Sequence, residues 1–124
     1  MDEHFFSKRS KDNLIGVHHE IISVIEKSLK LSPVRFEVTE GVRSKKTILQ
    51  SLAKGEHINI HNKYLAGFVI NIAAYPNELI SWDRKHYLLI SNIVKSVTEE
   101  FNVNIIWGGD NPELNEYTKF EYVV

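Results

Sequence analysis

The segment Asn62–Tyr75 reads Asn-Lys-Tyr-Leu-Ala-Gly-Phe-Val-Ile-Asn-Ile-Ala-Ala-Tyr. Its polar first part predicts a loop that ends at Gly67, and the apolar run after this glycine predicts a strand over 67–73. Asn71 interrupts the apolar run with a side chain that can donate and accept hydrogen bonds. The other predicted elements are arranged around this strand.

Helical and strand patterns alternate on both sides of it. Apolar residues at helical spacing from Asn13 to Leu29 predict a first helix, and a second helix is predicted over Lys45–Lys54. A long helix over Asp83–Phe101 has Asp83 as its expected N-cap. Further strands are predicted at Val34–Val38, Val103–Trp107 and Thr118–Val123. This order of elements predicts an α+β fold in which helices pack on a small antiparallel sheet.

The pattern also predicts the core and the extent of the domain. We expect a single domain over 1–124, in which 1–12 form an N-terminal arm. The predicted core residues are Ile21, Ile25, Phe36, Leu49, Val69, Ile90, Val94, Val97, Ile105 and Phe120.

Composition excludes several functional classes. The net charge of −1 gives no reason to expect a nucleic-acid partner or an anionic membrane surface. The chain has no cysteine, which excludes disulfides and thiolate metal sites. It has no apolar run long enough to insert into a membrane, and Met1 is not followed by a signal-peptide pattern. We therefore expect a protein that is cytoplasmic as synthesised, with later release to the periplasm or cell wall left open.

The Asn62–Tyr75 segment resembles the first metal-binding motif of the LAS-type zinc peptidases of peptidoglycan. This family includes D-alanyl-D-alanine carboxypeptidases and phage L-alanyl-D-glutamate endopeptidases. Its motif reads Ser-x-His-x-x-Gly-x-Ala-x-Asp, and the His and the Asp bind zinc. Gly67 and the spacing are retained here, but Tyr64 stands at the His position and Asn71 at the Asp position. The resemblance implies a Hedgehog/D-Ala-D-Ala peptidase-like fold.

Further matches extend the resemblance over about Ser10 to Tyr122. Gly41-Val42-Arg43-Ser44, with Gln50 in step behind it, is similar to the family's Gly-x-Arg-Ser segment. Trp107-Gly108-Gly109-Asp110 is similar to the Trp-Gly-Gly-Asp that precedes the last strand of many endolysins. The last strand of the family carries a general-base acid and, after it, the third zinc ligand. Glu116 and Lys119 occupy these two positions.

The three ligand positions therefore hold Tyr64, Asn71 and Lys119. A catalytic zinc site needs three protein ligands and an open position for water. A neutral phenol and an amide are poor zinc ligands, and an ammonium group has no lone pair. We therefore expect a catalytically inactive homologue without a cofactor, in which Lys119 pairs with Glu116, Asn71 or Tyr64 in place of the metal. If the last strand is shifted by one residue, Lys119 faces solvent instead.

An inactive homologue would act by binding. The expected partner is the peptidoglycan stem peptide or another protein, in a regulatory or structural role within a phage-derived or cell-wall system. The resemblance places Arg43 where it would meet a substrate carboxylate; the alternative is that Arg43 anchors its own loop. Gln50, Trp107 and Asp110 complete the expected binding residues.

The alternative hypothesis is an active peptidoglycan peptidase, an endolysin with a rearranged metal site. His57 and His61 share one face of an extended segment and could bind a metal there. Glu56 could add an oxygen ligand. The competing interpretation of both histidines is that they are polar loop residues. Zinc that stays bound through dialysis would favour the enzyme.

Overall fold

A computed structural model describes residues 4–42, 53 and 67–123. The described elements are, in chain order, α1 (Lys8–Asn13), α2 (His19–Leu31), β1 (Arg35–Glu40), β2 (Val69–Tyr75), α3 (Arg84–Phe101), β3 (Ile105–Trp107), a 3-10 turn (Gly108–Asp110) and β4 (Lys119–Tyr122). All three strand pairings are antiparallel, and the strand order is β1-β2-β4-β3. The predicted α+β architecture is confirmed.

Strand β2 lies inside the sheet, between β1 and β4. In the pairing registers Val38 lies opposite Ile72 on one side, and Phe120 lies opposite Ile70 on the other. The strand begins at Val69 and runs to Tyr75, two residues further along than predicted. Its apolar side chains are buried, and most of them belong to the core cluster that the sheet shares with the helices. The prediction that this strand and the last strand are neighbours in the sheet is confirmed.

The first helix differs from the prediction, because the chain turns between Asn13 and His19 instead of continuing as one helix. Gly16 adopts a left-handed φ of +84° and breaks the helical path. The backbone N–H of His18 then donates to the carbonyl of Gly67 at 2.9 Å, and the Nδ1 atom of His18 caps α2 by accepting from Glu20 N–H. Contact with the start of the central strand thus fixes where α2 begins.

The stretch expected to be an N-terminal arm contains α1, which packs on β1. Ser7 caps this helix by accepting from the Ser10 N–H, and the hydroxyls of both serines donate to the Glu37 carboxylate. The Phe6 ring is buried and meets the Phe36 ring edge to face at 5.7 Å. Polar and apolar contacts together therefore tie this segment to the sheet.

Helix α3 has the ends that the sequence predicts. The Asp83 carboxylate accepts from the Lys85 N–H at 3.1 Å, and this hydrogen bond lowers the pKa of Asp83 below its usual value. Asn102 ends the helix with a left-handed φ of 54°. Within the helix, the buried Tyr87 hydroxyl donates to the carbonyl of Ser81 at 2.7 Å and accepts from the Ala74 N–H at 3.0 Å. Burial raises the pKa of Tyr87.

The apolar core lies between the sheet and helices α2 and α3, which pack against each other. The predicted core residues Ile21, Ile25, Phe36, Val69, Ile90, Val94, Val97 and Phe120 are buried. Ile105 is only half-buried because β3 is a short edge strand, and Leu49 lies outside the described residues. The predicted helix Lys45–Lys54 also lies outside them, except for Ala53. Across the described ranges no helix has the length and apolar character needed to cross a bilayer.

Candidate functional site

Two of the family's metal-ligand positions face each other across the centre of the sheet. Asn71 of β2 and Lys119 of β4 are direct partners in the antiparallel register. Directly opposite residues project from the same face of a sheet, so their side chains are neighbours. On the other side of β2, Glu40 is the register partner of Asn71. The sheet thus carries a polar row of Glu40, Asn71 and Lys119.

Lys119 forms an ion pair with Glu116, the residue at the general-base position. The Lys119 backbone N–H also donates to the Glu116 carbonyl at 3.1 Å, which fixes the turn that leads into β4. The Lys119 side chain is 15% exposed and the Glu116 side chain 44% exposed. The ammonium is therefore largely enclosed, whereas water reaches the carboxylate.

Asn71 accepts a hydrogen bond from Thr118, the residue before Lys119. The donor is the threonine hydroxyl and the acceptor is Oδ1, 3.2 Å away. The Ile72 N–H also donates to the Thr118 carbonyl, at 2.9 Å. These two contacts join Thr118, the residue directly before β4, to β2. The side chain of Asn71 is accordingly held within the sheet's own hydrogen-bond network.

A cleft of about 520 Å³ opens beside the Lys119–Glu116 pair. Its walls combine charged and apolar side chains: Ile106, Trp107, Gly108, Asp110, Asn111, Pro112, Leu114, Glu116, Lys119 and Glu121. Two expected binding residues, Trp107 and Asp110, are thus brought to the same cleft as Glu116 and Lys119. A mixed lining of this kind suits a ligand with both polar and apolar groups.

Trp107 and Asp110 also have structural partners. The Trp107 ring is 2% exposed, and its Nε1–H donates to the Tyr117 carbonyl at 2.7 Å. The Asp110 carboxylate accepts from the Lys95 ammonium at 2.9 Å. Gly109 must be small because a Cβ there would lie 2.3 Å from the Trp107 ring. The Trp-Gly-Gly-Asp segment therefore builds the wall of the cleft.

Sequence reasoning missed Arg84, Lys95 and Asn115, which support this wall. Arg84 and Lys95 of α3 both lie over the Trp107 ring, at 5.1 and 5.5 Å from its centroid. Their separation along the helix is close to three whole turns, so the sequence does place both on one face of α3. Nothing local indicates that this face meets Trp107.

Zinc is the metal that the family resemblance implies, and the described residues at its ligand positions do not fit it. Lys119 offers an ammonium already paired with Glu116, and Asn71 offers a neutral amide already bonded to Thr118. Within 4–42, 53 and 67–123, no three His, Asp or Glu side chains are grouped as metal ligands would be. Tyr64, Arg43, Gln50, His57 and His61 lie outside these ranges.

The sequence model of the family described as phage L-alanyl-D-glutamate peptidase matches residues 3–121. The chain belongs to this family. It is 27% identical over 116 residues to the L-alanyl-D-glutamate peptidase of Escherichia phage T5, a match that covers 90% of this chain and 85% of the phage protein. The fold is also that of the Serratia marcescens L-Ala D-Glu endopeptidase ChiX. The crystal structure of ChiX matches with a TM-score of 0.86 and 28% sequence identity, over 96% of this chain and 90% of ChiX.

These relatives correct two expectations from the sequence. The expectation that the chain is not an enzyme is wrong, because its family and both relatives are L-alanyl-D-glutamate peptidases. The expectation that it uses no cofactor is overturned by the same matches, since the resemblance identifies this family with zinc peptidases. The substitutions at the ligand positions exclude only one arrangement of a metal site, the one that the family motif describes.

Proposed function

We propose that the chain hydrolyses the bond between L-alanine and D-glutamate in peptidoglycan stem peptides. The observation that carries this proposal is the family match over residues 3–121, which includes every residue of the cleft and the whole sheet except Tyr122. The high TM-score to ChiX over 96% of the chain supports it, since a cleft in the same fold can take the same class of substrate.

Glu116 is the residue that we assign to proton transfer. Its carboxylate lines the cleft and is 44% exposed, so it can contact a water molecule in front of a bound peptide. A carboxylate at such a position accepts the proton of the attacking water and later delivers a proton to the leaving amine. The ion pair with Lys119 holds the carboxylate at the foot of β4.

We assign recognition of the peptide to the cleft wall and to the Gly-x-Arg-Ser segment. Trp107 and Asp110 lie in the wall, where Asp110 is held by Lys95. Arg43 matches the family position that meets a substrate carboxylate, and Gln50 follows in step. D-Glutamate linked through its side chain keeps a free carboxylate, and an arginine can bind this group with two hydrogen bonds.

The metal site is the rearranged part of this proposal. Because Lys119 and Asn71 do not fit zinc, other residues must hold the metal. His57 and His61, with Glu56 as an oxygen donor, are the set that the sequence offers. Such an ion would polarise the scissile carbonyl.

Digestion of purified sacculi tests the proposed peptidase activity. We expect the purified protein, supplied with zinc, to release fragments with a new D-glutamate amino terminus from purified sacculi. Glu116→Gln should lower kcat by about 10²- to 10⁴-fold, the usual contribution of a general base. Glu113→Gln is a matched control on the same loop and should leave the rate unchanged. Absence of cleavage, or full activity of Glu116→Gln, would contradict the proposal.

Zinc content tests the rearranged site separately. We expect the dialysed protein to retain zinc at a stoichiometric molar ratio to protein. The double change of His57 and His61 to alanine should abolish this binding. The matched control is the double change of His19 and His86 to alanine, which removes two histidines from the described helix α2 and from α3. Equal zinc loss in both double variants would rule out His57 and His61 as the specific ligands.

A further inference from the structure

The segment Gly108–Thr118, here named the Glu116 loop, is ordered by its own hydrogen bonds. The Asn111 side chain accepts from the N–H groups of Glu113 and Leu114 at 3.0 and 3.3 Å. The Asn115 N–H donates to the Asn111 carbonyl at 2.7 Å. These bonds shape the loop, but they do not attach it to the rest of the protein.

Arg84, in the first turn of α3, attaches the loop to this helix at two points. Its Nη2 donates to the Gly109 carbonyl at 3.0 Å, and its Nε donates to the Asn115 side-chain oxygen at 3.1 Å. One planar guanidinium therefore ties the beginning of the Glu116 loop to its end. The same group lies over the Trp107 ring, with Cζ 5.1 Å from the centroid. A guanidinium can make these contacts together because its donors have a fixed planar geometry.

The conformation of Asn115 affects the position of Glu116 directly, because Asn115 is the residue before it. It adopts a left-handed φ of 47°, which asparagine tolerates better than most residues. This backbone conformation sets the direction in which the chain presents Glu116. At the start of the loop, Gly108 packs closely on the Glu116 backbone. A Cβ at Gly108 would lie 2.2 Å from the Glu116 carbonyl oxygen.

We propose that Arg84 is a positioning residue for Glu116, acting through Asn115 and Gly109. Without the guanidinium, the Gly109 carbonyl and the Asn115 side chain lose their link to α3, although Asp110 and Tyr117 keep their bonds to Lys95 and Trp107. The backbone that directly precedes Glu116 is then held less firmly, and the carboxylate is no longer held at one place in the cleft. This inference rests on the proposed function in one respect, namely that Glu116 transfers protons. The bonds from Arg84 to Gly109 and Asn115, here named the clamp, can be measured without catalysis.

Kinetics of four variants and one control variant test the catalytic consequence. We expect Arg84→Met to lower kcat by roughly tenfold or more, because small displacements of a reacting group are costly. KM should stay within about twofold, because Trp107 and Asp110 keep their bonds to Tyr117 and Lys95. Arg84→Lys keeps the charge but not the fork and should not restore kcat. Asn115→Ala should reproduce the loss, whereas Asn115→Asp, which keeps the acceptor oxygen, should retain activity. The matched control is Lys85→Met, on the next residue of α3. A kcat for Arg84→Met equal to that of Lys85→Met would overturn the proposal.

Amide hydrogen exchange tests the clamp independently of activity. The N–H groups of Asn115 and Lys119 are bonded within the loop and at its end, and they report on its opening. We expect them to exchange about tenfold faster in Arg84→Met than in Lys85→Met, with amides in β2 unchanged. If the unaltered protein cleaves nothing, the proposed function fails, and this comparison still decides on the clamp. Equal exchange rates in the two variants would overturn the clamp itself.

Discussion

Lys119 and Glu116 differ in how far solvent reaches them, with side chains 15% and 44% exposed. Lys119→Met leaves a carboxylate that water can still solvate. We therefore expect the free energy of unfolding to fall by less than about 1 kcal/mol, in the range of exposed ion pairs. Urea denaturation at neutral pH measures this change.

The control for this variant is Lys8→Met. Lys8 pairs with Asp12 at 2.8 Å, and both side chains are well exposed, at 89% and 54%. This variant should change the unfolding free energy by no more than a few tenths of a kcal/mol. A loss above about 3 kcal/mol in Lys119→Met alone would mean that the pair behaves as a buried one.

Individual side chains at the site were predictable to different degrees. The motif spacing places Asn71 and Lys119 on strands that the resemblance makes neighbours, and the register sets them opposite each other. Arg84 gave no such signal, because its partners Gly109 and Asn115 are distant in sequence and lie in a loop without periodicity. A local sequence pattern shows which side chains lie on the same face of a helix or strand. Only the folded chain shows what that face contacts.

The entry into β2 depends on Gly67. This residue has a φ of +79°, and a Cβ there would lie 2.3 Å from the Gly16 carbonyl oxygen. Gly67→Ala therefore combines a left-handed strain of about 1–2 kcal/mol with a backbone clash. We expect it to lower the unfolding free energy by more than about 3 kcal/mol, since both the strain and the displaced backbone contribute.

Gly16→Ala separates the two causes. Gly16 also has a left-handed φ, of +84°, but its Cβ would meet a side chain rather than backbone among the described residues, namely that of Val42, at 3.1 Å. We expect this variant to cost about 1–2 kcal/mol, the conformational part alone. Urea denaturation of both variants gives the comparison, and equal losses would show that the close approach between Gly67 and Gly16 is unimportant.

Helix ends were predictable where local chemistry determines them. Asp83 and Asn102 enclose α3 because a side-chain cap and a left-handed asparagine act within one helical turn. The start of α2 was not predictable, since Leu14 and Val17 continue the apolar period of Ile21. The break there depends on the bond from His18 to Gly67, a residue in a distant part of the chain.

Tyr87 connects α3, β2 and the intervening loop, so its hydroxyl affects the stability of the entire fold. Because folding raises its pKa, the folded state holds the phenolic proton more tightly than the unfolded chain does. Its contribution is complete below the unfolded pKa of about 10 and is lost as the pH rises through the folded pKa. Tyr122, whose pKa is raised by its hydrogen bond to Glu20, adds in the same direction.

We expect Tyr87→Phe to be less stable than the unaltered protein at neutral pH by about 1–3 kcal/mol, because the Ala74 N–H and the Ser81 carbonyl lose their partner. Above a pH of about 10 its unfolding free energy should fall less steeply, since one of the tightly held protons is gone. Tyr117→Phe is the control, because it loses a bond to the exposed Trp82 carbonyl, which water can replace. Denaturation curves from neutral to alkaline pH measure both effects. Parallel curves for Tyr87→Phe and the unaltered protein would contradict this account.

The order β1-β2-β4-β3 has a consequence for how the protein is made. The candidate site forms between β2 and β4, although α3 and β3 separate these strands along the chain. Pairings between distant segments close large loops and form late in folding. A chain still on the ribosome therefore has no paired Glu116 until residue 119 has emerged, and no completed cleft until residue 121 has emerged. The candidate site is in this way complete only after both β2 and β4 have been synthesised and have paired.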